Sequence, residues 1–112
     1  MSELDMDCPV ARAATIVGSK WTLLIIRDLS AGGRRFTELE RSLDGISPKT
    51  LSERLKALER KGIVHRTTYA EAPLRVEYHL TAMGEGLIPV IECLRQYGET
   101  WLTRETPPPA VR

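Results

Sequence analysis

The feature that most constrains this chain is a pair of short helix-forming stretches set back to back between Thr37 and Gly62, each with its own start and stop signal. Thr37-Glu38-Leu39-Glu40 reads as a capping box, in which the threonine hydroxyl accepts from the amide three residues on and Glu40 reaches back to the amide of Thr37. Leu39 and Leu43 supply an apolar side, and Asp44-Gly45 ends this helix after about two turns. Ser47 then caps a second stretch and Pro48 takes its first helical position. Its Leu51, Leu55 and Leu58 fall within about 60° of one another on a helical wheel, and Gly62 ends it. Two short helices joined by a tight glycine-containing turn make a helix-turn-helix unit. By pattern alone they equally make an ordinary helical hairpin.

The next segment favours the first reading. Ile63, Val64 and Arg66 to Tyr69 are β-prone, Ala70 to Leu74 holds Pro73 without periodicity, and Val76 to Leu80 alternates apolar with polar. A β-hairpin directly after a helix-turn-helix is a wing. Upstream, Cys8-Pro9 places a cap and a first helical proline before Val10, Ala13, Ala14 and Val17, which predicts a helix over 9–17. Gly18 breaks it, and Trp21, Leu24, Ile25 and Leu29 predict a second helix over 20–31. Downstream, Thr81 caps a last helix over about 82–104 that Pro89 is expected to bend. The fold class is therefore mainly α with a small β-hairpin, a winged helix-turn-helix over 1–112. The helix-turn-helix covers about 37–61 and the wing about 63–80. The apolar residues of the terminal helices exceed what so small a monomer can cover, so both are expected to form a dimer interface. Pro107-Pro108-Pro109 is expected to be an extended tail.

A chain of 112 residues with 42% hydrophobic and 28% charged residues suits one globular domain and excludes a disordered or collagen-like one. No apolar run approaches the ~20 residues that span a bilayer, so a soluble, cytoplasmic protein without a membrane partner is expected. No residue cluster suits catalysis, so no enzyme and no cofactor are expected. His65 and His79 lack cysteine or carboxylate at metal spacing and are read as solvent-facing strand residues. Charge is uneven: Arg34 to Thr68 carries nine bases against five acids, whereas Met1 to Gly33 carries three against four. A basic middle between mildly acidic ends suits a protein that meets phosphate on one face.

The blocks Cys8-Pro9-Val10, Gly18-Ser19-Lys20-Trp21-Thr22-Leu23-Leu24, Arg35-Phe36-Thr37-Glu38-Leu39, Gly45-Ile46-Ser47-Pro48-Lys49-Thr50-Leu51-Ser52-Glu53-Arg54-Leu55 and Val76-Glu77-Tyr78-His79-Leu80-Thr81, in that order and spacing, resemble the HxlR-type winged helix-turn-helix regulators. The likeness runs from about Cys8 to Trp101. It implies a dimeric bacterial transcription factor, distantly similar to the MarR-type regulators, that binds double-stranded DNA at a pseudo-palindromic operator and often represses a neighbouring gene. It also implies sensing of a small electrophile or oxidant through a cysteine just before the first helix, the position of Cys8.

With the leucine stripe buried, Lys49, Glu53, Lys56 and Arg60 face the other way. Lys49, Thr50, Ser52 and Glu53 are best placed for base edges, while Ser47 and the first amides suit a phosphate. Lys56 and Arg60 suit the DNA backbone. Arg54, near the edge of the buried stripe, either pairs with an internal acid or touches DNA. Arg75, near the hairpin tip, suits the minor groove or a phosphate. Cys8 sits at the positive end of a helix dipole, which favours reactivity, while Asp5 and Asp7 oppose it. Cys93, among apolar neighbours in the last helix, is expected to pack, although crossed terminal helices would bring Cys8 towards Cys93 of the partner subunit. A winged-helix module that binds protein through the same face is the alternative to a DNA reader.

Overall fold

A computed structural model describes residues 7–102. Asp5, residues 103–104 and the Pro107-Pro108-Pro109 tail lie outside the described residues. The elements run α1 (Pro9–Val17), α2 (Lys20–Leu29), α3 (Phe36–Ser42), α4 (Pro48–Arg60), β1 (Val64–Tyr69), β2 (Arg75–Leu80), α5 (Ala82–Glu85) and α6 (Ile88–Trp101). This is a mainly helical winged helix-turn-helix.

Its core is built where the amphipathic faces of the middle elements meet. Ile25, Ile26 and Leu29 of α2 join Leu39 and Leu43, Ile46 from the turn, and Leu51, Leu55 and Leu58 of α4, with Ile63, Val64 and Leu80 closing the wing side. The α4 leucines are all but fully buried, as their spacing predicts. Side chains of α1 and α6 add no buried residue. Between α3 and α4 the chain reverses at Gly45, whose φ of +91° is a backbone that a side chain would strain. The amide of Ile46 closes the turn on the carbonyl of Leu43 at 3.1 Å. Among the described residues, no helix is long and apolar enough to cross a membrane.

β1 and β2 pair antiparallel, from Val64 opposite Leu80 to Tyr69 opposite Arg75. The free edge of β2 is not left open. Arg34 and Tyr78 exchange both backbone bonds, at 3.0 and 2.8 Å, so a one-residue third strand ties the α2–α3 link to the wing. Such a bridge has no sequence periodicity to announce it.

Three local expectations change. α3 begins at Phe36, and it is Glu38 rather than Glu40 that reaches back, its Oε1 accepting from the amide of Arg35 at 2.8 Å. The Arg34 bridge holds the chain extended, so the helix starts as soon as that bridge releases it. α2 stops at Leu29, with Ser30 to Gly32 closing in tight turns. The last helix is two: the chain breaks at Gly86-Leu87, and Pro89 lies in the first turn of α6, where its missing amide removes no helical bond.

Thr81 caps α5 as expected, its Oγ1 accepting from the amide of Gly84 at 3.1 Å and donating to the carbonyl of Gly62 at 2.6 Å. Gly84 packs so tightly that a Cβ there would collide with the carbonyl oxygen of Ile63. Backbone cannot yield as a flexible side chain can. Gly84→Ala is therefore expected to destabilise the protein by about 1–3 kcal/mol, read from the urea midpoint at unchanged m value. Wild-type stability would show that the contact relaxes freely.

Candidate nucleic-acid interface

α4 is held from its first residue. Ser47 is extended, with φ −81° and ψ 152°, and its Oγ accepts from the amide of Thr50 at 3.0 Å while donating to Thr50 Oγ1 at 2.9 Å. The Ser47 and Thr50 hydroxyls thus complete each other at the helix start. With Leu51, Leu55 and Leu58 turned into the core, Lys49, Glu53, Lys56 and Arg60 all come out exposed. At 100° per residue those four span about 60°, directly opposite the buried stripe. Ser52 and Thr50 are half-buried on its flanks.

Among the described residues, Lys49, Lys56 and Arg60 enter no ion pair, so their charges are available to an outside partner. Glu59, on the same helix, is spent on Arg66 of β1 at 3.6 Å. This contact spans helix and wing. Exposed Arg41 on α3 adds a cation next to the turn; it belongs to no motif, and only the basic composition of the segment signals it.

Arg75 is placed differently from the expectation of a free wing-tip cation. Its guanidinium lies between Glu71, at 3.1 Å, and Glu77, at 3.4 Å, and stacks 4.1 Å above the ring of Tyr69. It braces the hairpin. Its partners are set by register: Tyr69 stands directly across from Arg75 only once the strands are aligned. Arg54 has found no internal acid among the described residues; it is exposed, off the α4 cationic face, beside a cleft between α4 and the α1–α2 corner.

Of the two histidines, His65 is exposed, but His79 is not solvent-facing as expected. It stacks on His65 with ring centroids 5.3 Å apart, approaches Glu77 to 3.3 Å and packs against Gly33. Strand register places the two histidines opposite each other, which their positions 14 residues apart do not reveal.

Cys8 occupies the N-cap of α1 with an exposed thiol that makes no cap hydrogen bond. Cys93, expected to pack, is exposed as well. It shares α6 with Val90, Leu94, Tyr97 and Trp101, all large, apolar and exposed, and α1 presents Val10 likewise, 76% exposed. The Tyr97 and Trp101 rings lie 6.5 Å apart on this surface.

Comparison with known proteins fits this geometry. A family model described as HxlR-like helix-turn-helix matches residues 16–106. An uncharacterized HTH-type transcriptional regulator of Synechocystis is 41% identical over 99 residues, covering 88% of this chain and 73% of the relative. Among solved structures, a chain from Porphyromonas gingivalis W83 assigned to the MarR family of transcriptional regulators superposes with a TM-score of 0.80 at 40% identity, covering 88% of this chain and 94% of that one. The redox regulator HypR in its oxidized form gives 0.79 at 35% identity, over 83% of this chain and 96% of its own.

The Ser47 cap gives a direct test of how the presented face is held. Ser47→Ala is expected to cost about 1 kcal/mol of stability and to speed hydrogen exchange at the Thr50 amide. Unchanged exchange there would mean that the turn alone sets the helix start.

Proposed function

The chain belongs to the HxlR-like helix-turn-helix family of transcriptional regulators, and from that premise we propose that it is a homodimeric repressor that reads a pseudo-palindromic operator through α4. The observation that carries this is the exposed face of α4, where Lys49, Lys56 and Arg60 stand without ion-pair partners among the described residues, opposite a fully buried leucine stripe. Lys49, Thr50, Ser52 and Glu53 lie in the N-terminal half, the part of a recognition helix that meets base edges. Lys56 and Arg60 follow the phosphate backbone, and the amides at the Ser47 end of the helix face a phosphate. Arg75 contributes by holding the wing in shape, with Glu71 and Glu77 drawing off much of its charge. The exposed apolar surface of α6, with Val10 of α1, supports the homodimer, since large hydrophobic side chains gathered on one helix are covered in most soluble assemblies. Two-fold symmetry then requires half-sites about one helical turn apart, or a multiple of it.

Fluorescence anisotropy on the upstream intergenic duplex and on a scrambled one, across a salt series, tests the reading. A preference of ~10³-fold or more is expected for the native duplex. Lys56→Ala should weaken both duplexes alike and lower the salt slope by about one per subunit, whereas Lys49→Ala should cost about 1–3 kcal/mol on the native duplex and relax its selectivity. Equal wild-type binding to both duplexes, or little dependence on salt, would overturn the operator reading and favour a protein-binding module.

The reading extends to redox control through Cys8, with Cys93 of the partner subunit as the second thiol. Both thiols are exposed, and the structural likeness to a redox regulator supports the same reading. Disulfide formation removes two protons and two electrons from the thiol pair, which the azo bond of diamide accepts. Diamide should abolish the operator preference, dithiothreitol should restore it, and Cys8→Ser should not respond. Retention of the diamide response in Cys8→Ser would remove Cys8 from the mechanism.

A further inference from the structure

A cleft of about 290 Å³ opens where the end of α1, the start of α2 and the C-terminal half of α4 meet. Its polar side chains include Ser19, Thr22, Arg54 and Lys61, and no carboxylate lines it among the described residues. Three independent features of this cleft favour negative charge.

The first is the start of α2. Ser19 is the N-cap of this ten-residue helix, yet its side chain makes no cap hydrogen bond. The first helical bond runs from the amide of Leu23 to Ser19 at 3.1 Å, so the preceding amides of Lys20, Trp21 and Thr22 have no acceptor within the helix. The second is Thr22. It is only 4% exposed, the one buried polar residue of the described chain, and it lines the cleft. Among the described residues its hydroxyl has no hydrogen-bond partner. The hydroxyl itself is not sealed in the interior, so it can donate to an acceptor seated in the cleft. The third is the pair of cations from α4. Lys61 Nζ donates to the carbonyl of Thr15 at 2.8 Å, which fixes the ammonium at the cleft while leaving it further N–H groups. Arg54 has no ion pair among the described residues and offers a planar fork suited to carboxylate or phosphate.

We propose that this cleft binds a small free oxyanion of the carboxylate or phosphate class, held by the α2 amides, the Thr22 hydroxyl, Arg54 and Lys61. The site is separate from the DNA-reading face: on the helical wheel Arg54 lies about 130° from the middle of the Lys49 to Arg60 face. A backbone phosphate seated on that face is therefore not the natural occupant of the cleft. A bound anion bridges α4 to the α1–α2 corner, and so links the DNA-reading helix to a helix with an exposed apolar surface.

Isothermal titration of the full chain, without DNA, tests this independently of the regulatory reading. Inorganic phosphate and benzoate are titrated separately, with chloride exchanged to hold ionic strength constant. Saturable binding of at least one anion is expected at one site per chain. It should weaken at least tenfold in Arg54→Gln and in Thr22→Val and remain unchanged in Arg41→Gln, whose cation lies on α3. Thermal melts of the three variants check that each folds. Absence of saturable binding by both anions would overturn the proposal, as would equal weakening by Arg54→Gln and Arg41→Gln, the mark of general charge. A lower DNA salt slope in Arg54→Gln without any free-anion binding would instead assign the cleft to the nucleic-acid backbone.

Discussion

Burial of the leucine stripe on α4 is the constraint on which the rest of the molecule depends. Leu51, Leu55 and Leu58 meet Ile25 and Ile26 from α2, Leu39 from α3, and Ile63 and Val64 at the entry to the wing. Apolar area removed from water is the dominant favourable contribution in a domain of this size. It fixes the rotation of α4 about its axis, and that rotation alone decides that Lys49, Lys56 and Arg60 look outward. A helix rolled by one residue, about 100°, would bury charge and expose leucine. The functional face is thus determined by what lies behind it.

The wing is secured by polar contacts more than by burial. Arg34 pairs with Tyr78 along the outer edge of β2, Thr81 bonds to Gly62 and caps α5, and Arg66 reaches Glu59 on α4. Near the tip, Arg75 is neutralised by two glutamates while its face rests on Tyr69. A cation held this way contributes shape in preference to charge. The positive charge available to a nucleic acid therefore concentrates on α4, where Lys49, Lys56 and Arg60 outnumber Glu53 on the exposed face. The α1 and α6 surfaces follow the opposite logic: they leave Val10, Leu94, Tyr97 and Trp101 in solvent, and they carry both thiols beside that apolar surface.

The sequence by itself determined the element order, the helix-turn-helix and hairpin, the buried leucines and the outward set of α4. These are local matters: caps, glycine stops and 3.6-residue periodicity act within a few residues and do not need the rest of the chain. Only the tertiary structure decided the partners of Arg75, the stacking of His65 on His79, the one-residue strand at Arg34, the break at Gly86-Leu87 and the cleft that gathers Thr22, Arg54 and Lys61. Each joins residues distant in the chain or depends on strand register and close backbone packing. Such contacts arise when burial brings whole elements together, and no periodicity along the chain encodes which side chains will then meet.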